Sequence, residues 1–321
     1  MKFRALCLLL LWSAFGGIQA REVISLNEGW ISVCRPENRE DSIVVRGVNL
    51  PHNWNDYYAY LPGATQNNLY GSCRYERHFT VNTSNNEAVF LRLEGAGSYV
   101  SVFVNGKEVC QHQPAGMVTT ILEITPYIYT GDRNRLTIIC DHPSDNQDMP
   151  WVCDPEHDMG VTSVPFGLFR NVSIEVSSAI RIVPYGVHAW TNTACDTLYV
   201  ETEVHNYSSH GAECRLNTEV ESMLSHKSFV LGAHLSDTIL QRFAIKKYNL
   251  TPWTPEKPKF YKVTSKLMQG FQQVLADQED TQVGISSVKW PARNPDGTLT
   301  NDDHRFYLNN QPYFINGTTE A

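Results

Sequence analysis

The chain has 321 residues, enough for two ordinary domains with separate cores. Hydrophobic residues make up 42% and charged residues 19%, a balance that excludes a disordered chain. The net charge is −8 and no basic stripe occurs, which argues against nucleic acid as a partner.

Lys2 and Arg4 precede an apolar run, Ala5 to Phe15, and the small residues that follow end at Ala20. This pattern predicts a secretory signal peptide over 1–20, cut after Ala20. The run is too short to cross a membrane, and no later segment reaches the needed length. The mature protein is therefore expected to be exported, periplasmic or secreted, with no membrane span. Cys7 leaves with the signal, so seven cysteines remain: Cys34, Cys73, Cys110, Cys140, Cys153, Cys195 and Cys214. Their wide spacing and odd number read as mostly buried free thiols acting as small hydrophobes. One bridge, Cys140–Cys153, is compatible with an exported chain. No CxxC pair suggests zinc.

Beyond the signal, short alternating segments dominate. Val89, Leu91 and Leu93 share one face of a strand, with Arg92 on the other. Val100, Val102 and Val104 do the same and run into Asn105-Gly106, both of whose positions tolerate positive φ, as a two-residue hairpin turn requires. Leu136, Ile138 and Cys140 form a further stripe, as do Val172, Ile174 and Val176. Leu198, Val200 and Val204, then Cys214, Leu216 and Val220, continue the pattern. No sustained helical periodicity follows the signal. Many short strands separated by turn signals predict an all-β protein built of sandwiches.

A fresh strand set begins near residue 180. The first domain, 21–180, has the length of a jelly-roll sandwich. The second, 181–288, has that of an immunoglobulin-like sandwich. A stretch rich in Pro, Asn and Asp opens the remainder, 289–321. There, Arg305–Leu308 is expected to be extended, Asn309-Asn310 to turn, and Tyr313–Ile315 to form a second apolar strand left without a partner. That end reads either as the opening of a further domain or as a loose tail.

Five segments carry a family resemblance in their order: PHNW from Pro51, LYGSCRYERHF from Leu69, VFVNGKEV from Val102, PFGLFRNVSIEV from Pro165, and PWTPEKPKFY from Pro252. Together they resemble the N-terminal half of glycoside hydrolase family 2, the β-galactosidase-like enzymes. The resemblance covers about 22–321. It implies a galactose-binding-like, sugar-binding jelly roll, then an immunoglobulin-like sandwich, then a TIM barrel whose opening is similar to FYLNNQPYFINGTTE. Two departures are visible: Val283-Gly284-Ile285-Ser286 lacks the arginine usual at that place, and Cys73-Arg74-Tyr75 replaces an aromatic strand start.

In the family, both catalytic glutamates lie on barrel strands, and a barrel needs about 200 residues or more. Few residues here could belong to one, so no catalytic residue is expected in this chain. The resemblance instead directs attention to CDHPSDNQDMPWVCDPEHD, from Cys140 to Asp158. In the family, a loop at this place reaches toward the barrel's active site. Asp148 and Trp151 are the nearest matches to its sugar-contacting residues: a carboxylate accepts two sugar hydroxyls, and Trp stacks on a pyranose face. The structural alternative is a solvated acidic loop with Trp151 packed on the core. A metal site there lacks EF-hand-like spacing, so no metal ligand is assigned. Asn67 and Asn68 are further candidates for sugar contact, against a plain turn role. Trp54 reads as core rather than platform, Arg170 as structural, and none of the eleven histidines as a catalyst.

No organic cofactor is expected; a divalent or sodium ion belongs at most to a full-length parent. The expected partner is a β-glycoside, as oligosaccharide or polysaccharide. Two functions follow: part of an exported retaining β-glycosidase, or a non-catalytic carbohydrate-binding or structural β-sandwich protein. The first predicts an exposed apolar patch where a barrel would pack, a surface that also favours homo-oligomers.

Overall fold

The computed structural model describes residues 21–37, 40–55, 69–144, 165–298, 300 and 304–317. The all-β expectation holds. In chain order the first ten strands are β1 (Arg21–Ser25), β2 (Trp30–Pro36), β3 (Ile43–Val48), β4 (Gly71–Thr80), β5 (Glu87–Leu93), β6 (Ala96–Val104), β7 (Lys107–Gly116), β8 (Thr120–Glu123), β9 (Arg133–His142) and β10 (Val172–Ser178). They form a four-stranded sheet, β1-β10-β5-β8, and a six-stranded sheet, β3-β2-β4-β9-β6-β7. Alternate residues of both sheets meet in one core, including Trp30, Tyr75, Leu91, Val102, Leu136, Ile138 and Ile174. Asn105 and Gly106 take positive φ in the turn between β6 and β7, as predicted.

The next seven strands are β11 (Ile180–Thr191), β12 (Thr197–Asn206), β13 (Ala212–Val220), β14 (Met223–Leu231), β15 (Ser236–Ala244), β16 (Tyr261–Gln269) and β17 (Val274–Val283). The sheets β11-β12-β15 and β14-β13-β16-β17 enclose a second core that includes Leu198, Val200, Leu216, Val263 and Leu267. Last come β18 (Val288–Lys289), β19 (Tyr307–Leu308) and β20 (Gln311–Pro312), a small antiparallel sheet.

Here one expectation is corrected. The second segment after the Asn309-Asn310 turn begins at Gln311, not Tyr313, and it is paired. Both asparagines take positive φ, so the hairpin closes at once, and β18 supplies the other edge of β19. The apolar residues beyond the pairing, Phe314 and Ile315, are exposed.

The cysteine pairing is also corrected. Cys34 and Cys73 form the disulfide, because register sets them directly opposite on β2 and β4. Cys140 is a buried free thiol, and Cys153 lies outside the described residues. Cys110, Cys195 and Cys214 are free, as read from their spacing.

The sequence stripe on β5 shows one buried face, yet Ala88 and Phe90 on the opposite face are buried too. They meet the second sandwich. Phe90 packs edge-on against Tyr207, centroids 4.8 Å apart, and Ala179 completes the cluster. Around it lies a buried ionic network. Arg21 donates from Nε and Nη2 to both Asp277 carboxylate oxygens, at 2.9 and 2.8 Å, and Nη1 lies 3.1 Å from Glu279. Asp277, fully buried, also accepts the Ile182 amide at 2.8 Å. Beside it Arg181 meets Glu175 at 2.5 Å, an ion contact without hydrogen-bond alignment, while its guanidinium lies 4.3 Å over the Phe90 ring. Burial alone would lower the Arg21 pKa, but the hydrogen bond and charge of Asp277, aided by Glu175 and Glu279, outweigh it and raise the value.

Removing one partner of a buried pair strands the other charge. Asp277→Ala should therefore destabilise the fold by about 3–5 kcal/mol in urea denaturation. Asp280→Ala, which breaks the exposed Lys262–Asp280 pair, should cost only about 0–1 kcal/mol. Equal losses would mean that the junction behaves as surface.

Candidate functional site

The four predicted sugar-contacting residues, Asp148, Trp151, Asn67 and Asn68, lie outside the described residues. What the structure describes is the chain on either side of the two segments that hold them, 56–68 and 145–164. These four chain ends meet at one end of the first sandwich.

Asn53 is the common anchor. Its Oδ1 accepts the Asn55 amide at 3.1 Å and the Phe166 amide at 2.9 Å, tying the start of one segment to the end of the other. The Asn55 side chain then accepts the Leu69 amide at 2.9 Å, which closes the base of 56–68. The neighbouring backbone is stitched the same way: His52 N–H to Leu168 O, Trp54 N–H to Phe166 O, and Gly97 N–H to Gly167 O. Across the sheet edge, the Glu37 carboxylate accepts both the amide and the hydroxyl of Ser144, and the Glu37 amide donates to Tyr70 O.

Phe166 is the hub of the side chains. It stacks on His142 with centroids 3.9 Å apart and planes 16° apart, and it meets Trp54 at 5.8 Å and Tyr70 at 5.6 Å. Trp54 packs against the core, as expected from sequence. Glycine is required next to this hub. Gly167 has φ +103°, and a Cβ there would fall 3.0 Å from both the His52 carbonyl and the Trp54 ring. Arg170, read as structural, is exposed at the turn entering β10.

Burial disfavours the charged forms of two histidines and a tyrosine at this root. His142 is buried, hydrogen-bonded to Ser98 Oγ at 3.0 Å, with the Ser98 amide 3.2 Å from Nε2. Burial lowers its pKa to about 3. Burial also lowers the pKa of His52, whose Nδ1 lies 2.8 Å from Tyr75 Oη. It pushes the Tyr75 phenol well above its usual value. With its pKa at about 3, His142 is not poised to exchange a proton near neutral pH, as a general acid or base would be. Among the described residues, no group of His, Cys, Asp or Glu could hold a metal ion. Chemically, the root is a hydrogen-bonded junction of the described chain ends, with an aromatic cluster at its centre. Asn53, Phe166 and Glu37 were not singled out in the sequence. The motifs PHNW and PFG marked the first two, but nothing local shows that they touch.

No family model matches the chain. It is 24% identical over 313 residues to a curated β-galactosidase from Thermoanaerobacter pseudethanolicus, a match covering 92% of this chain and 38% of that protein. The crystal structure of a Bacteroides uniformis β-glucuronidase superposes with a TM-score of 0.72 at 21% identity, over 91% of this chain and 34% of that one. A glycosyl hydrolase family 2 member from Bacteroides cellulosilyticus superposes with a TM-score of 0.64 at 18% identity, over 90% and 38% respectively. The two structural likenesses are likenesses of fold. The chain thus resembles the N-terminal portion of family 2 β-galactosidases and β-glucuronidases, and spans just over a third of the length of these relatives.

Because His142 is neutral in the fold but titrates near 6.5 when unfolded, lowering the pH favours the unfolded chain. Its contribution is fully present above about pH 6.5 and is lost toward pH 3, at up to about 1.4 kcal/mol per pH unit. His52 adds in the same direction. Urea midpoints from pH 7 to 4 should therefore fall more steeply for the wild type than for His142→Gln. Parallel curves would place His142 in solvent.

Proposed function

We propose that the chain is the N-terminal part of an exported family 2 glycoside hydrolase that cleaves β-glycosidic bonds, β-galactosidase-like, with retention of configuration. The observation that carries this reading is the root just described. It ties the described ends flanking 56–68 and 145–164 to one another through Asn53, Asn55 and Phe166, which supports a common role for the candidate residues Asn67, Asn68, Asp148 and Trp151 that those stretches hold. The match to a curated β-galactosidase along 92% of the chain supports the substrate class. The signal-like residues 1–20 support export. Among the described residues no helix is long and apolar enough to cross a membrane.

In this reading the chain divides into a jelly roll, 21–180, an immunoglobulin-like sandwich, 181–288, and a segment, 289–321, that leads into a catalytic barrel. The barrel supplies the two carboxylates, about 5–5.5 Å apart, that retaining hydrolysis needs. The jelly roll supplies substrate contacts: Asp148 accepts hydroxyl hydrogens and Trp151 stacks on the ring. Exposed apolar groups around the small terminal sheet, Val288, Trp290, Phe314 and Ile315, support a packing partner there. The disfavoured charge at the root fits a positioning role and leaves proton transfer to the barrel.

In the protein that joins this chain to its barrel, Asp148→Ala should lower kcat/KM on p-nitrophenyl β-galactopyranoside about 10- to 100-fold, the value of hydrogen bonds to a charged group. Trp151→Ala should cost about 3- to 10-fold. Unchanged kinetics in both would remove the jelly roll from the substrate site. Saccharide binding with no hydrolysis at all would favour the non-catalytic alternative.

A further inference from the structure

Three cysteines stand in one row across the six-stranded sheet. Cys34 of β2 is in register with Cys73 of β4, and Cys73 is in register with Cys140 of β9. All three are buried in the same core, so their side chains leave the same face of the sheet. Cys34 and Cys73 are bonded, and Cys140 is free. We propose that Cys73 is a shared sulfur with two alternative partners, and that the bridge moves between Cys34–Cys73 and Cys73–Cys140 by thiol–disulfide exchange inside the sheet.

The step is balanced. The Cys140 thiol gives up its proton and the thiolate attacks Cys73 Sγ. A Cys140–Cys73 bond forms, the Cys73–Cys34 bond breaks, and Cys34 departs as a thiolate that takes up a proton. One disulfide and one thiol are present before and after, so no oxidant or reductant is consumed. Neighbouring strands lie about 4.8 Å apart. Cys34 and Cys140 therefore flank Cys73 from strands on opposite sides, so the exchange needs no change of register. Burial pushes the Cys140 thiol up to about 12, against a backbone hydrogen bond from Gly97, so little thiolate exists in the closed fold and the exchange is slow.

The two isomers differ in what they fasten. With Cys34–Cys73 closed, β2 is bonded covalently to the sheet centre, and with it the edge strand β3. With Cys73–Cys140 closed, the β2–β3 hairpin is held by hydrogen bonds and packing alone. The chain leaving β3 at Val48 leads within a few residues to His52 and Asn53, the anchor of both candidate segments. The exchange thus couples a covalent state of the core to the firmness of that root.

The experiment uses the full chain in a Cys153→Ser background, so that Cys140 is the only cysteine of its tryptic peptide. The folded protein is equilibrated in a glutathione redox buffer, quenched with acid, digested without reduction and mapped by mass spectrometry. Both the Cys34–Cys73 and the Cys73–Cys140 linked peptides should be recovered. Adding Cys34→Ser and oxidising with diamide should yield Cys73–Cys140, and adding Cys140→Ser instead should yield Cys34–Cys73 alone. Recovery of Cys34–Cys73 as the sole linkage from the background protein would overturn the proposal. Should the Cys34→Ser variant fail to fold, by circular dichroism, that map decides by itself.

Discussion

The buried ionic junction between the two sandwiches is the constraint on which the rest of the structure depends. Its partners are far apart in the chain: Arg21 opens β1, and Asp277 lies in β17, 256 residues away. A charge taken out of water is tolerated only where opposite charge and hydrogen bonds replace the lost solvent. Asp277 meets that condition with both oxygens on Arg21 and one on the Ile182 amide. Arg181 meets it only in part: Glu175 supplies opposite charge, Nε donates to Ile182 O at 3.4 Å and Phe90 lies under the guanidinium, while both Nη atoms lack hydrogen-bond partners. Such contacts hold in one relative placement of the sheets, which gives an otherwise apolar joint its specificity. Ala88, Phe90 and Ala179 add the apolar part of the same joint.

From that joint outward, the first sandwich is a frame for one rim. At the rim, backbone amides that a sheet would normally pair are taken by side chains: Asn53 takes Asn55 and Phe166, and Asn55 takes Leu69. Amides left unpaired in a buried rim would cost more than these bonds return in water. The rim's amides are thereby satisfied, and burial disfavours charge on its histidines and on Tyr75. That agrees with the positioning role proposed for this part of the chain.

The alternating stripes at Val100–Val104, Leu136–Cys140 and Leu198–Val204 were legible because each depends on a period of two along the chain. So was the Asn105-Gly106 turn, which depends on two residues' tolerance of positive φ. The terminal hairpin was legible in kind and misread by two residues, since pairing follows the Asn309-Asn310 turn and not the apolar tripeptide after it. On β5 the stripe showed one buried face; the second, with Phe90, became visible only once the other sandwich was in place. Of the candidate site, the motifs around Asn53 and Phe166 could be marked, but their contact spans 113 residues of chain and leaves no local trace.

By itself the sequence determined the all-β class, the strand positions and the resemblance to family 2, because these rest on short-range periodicity and on the order of motifs. The tertiary structure decided the pairings: Cys34 with Cys73, Arg21 with Asp277, Asn53 with Phe166. Each depends on which strands are neighbours and in what register. Register is selected by burying every stripe at once, a property of the whole sheet that no single segment carries.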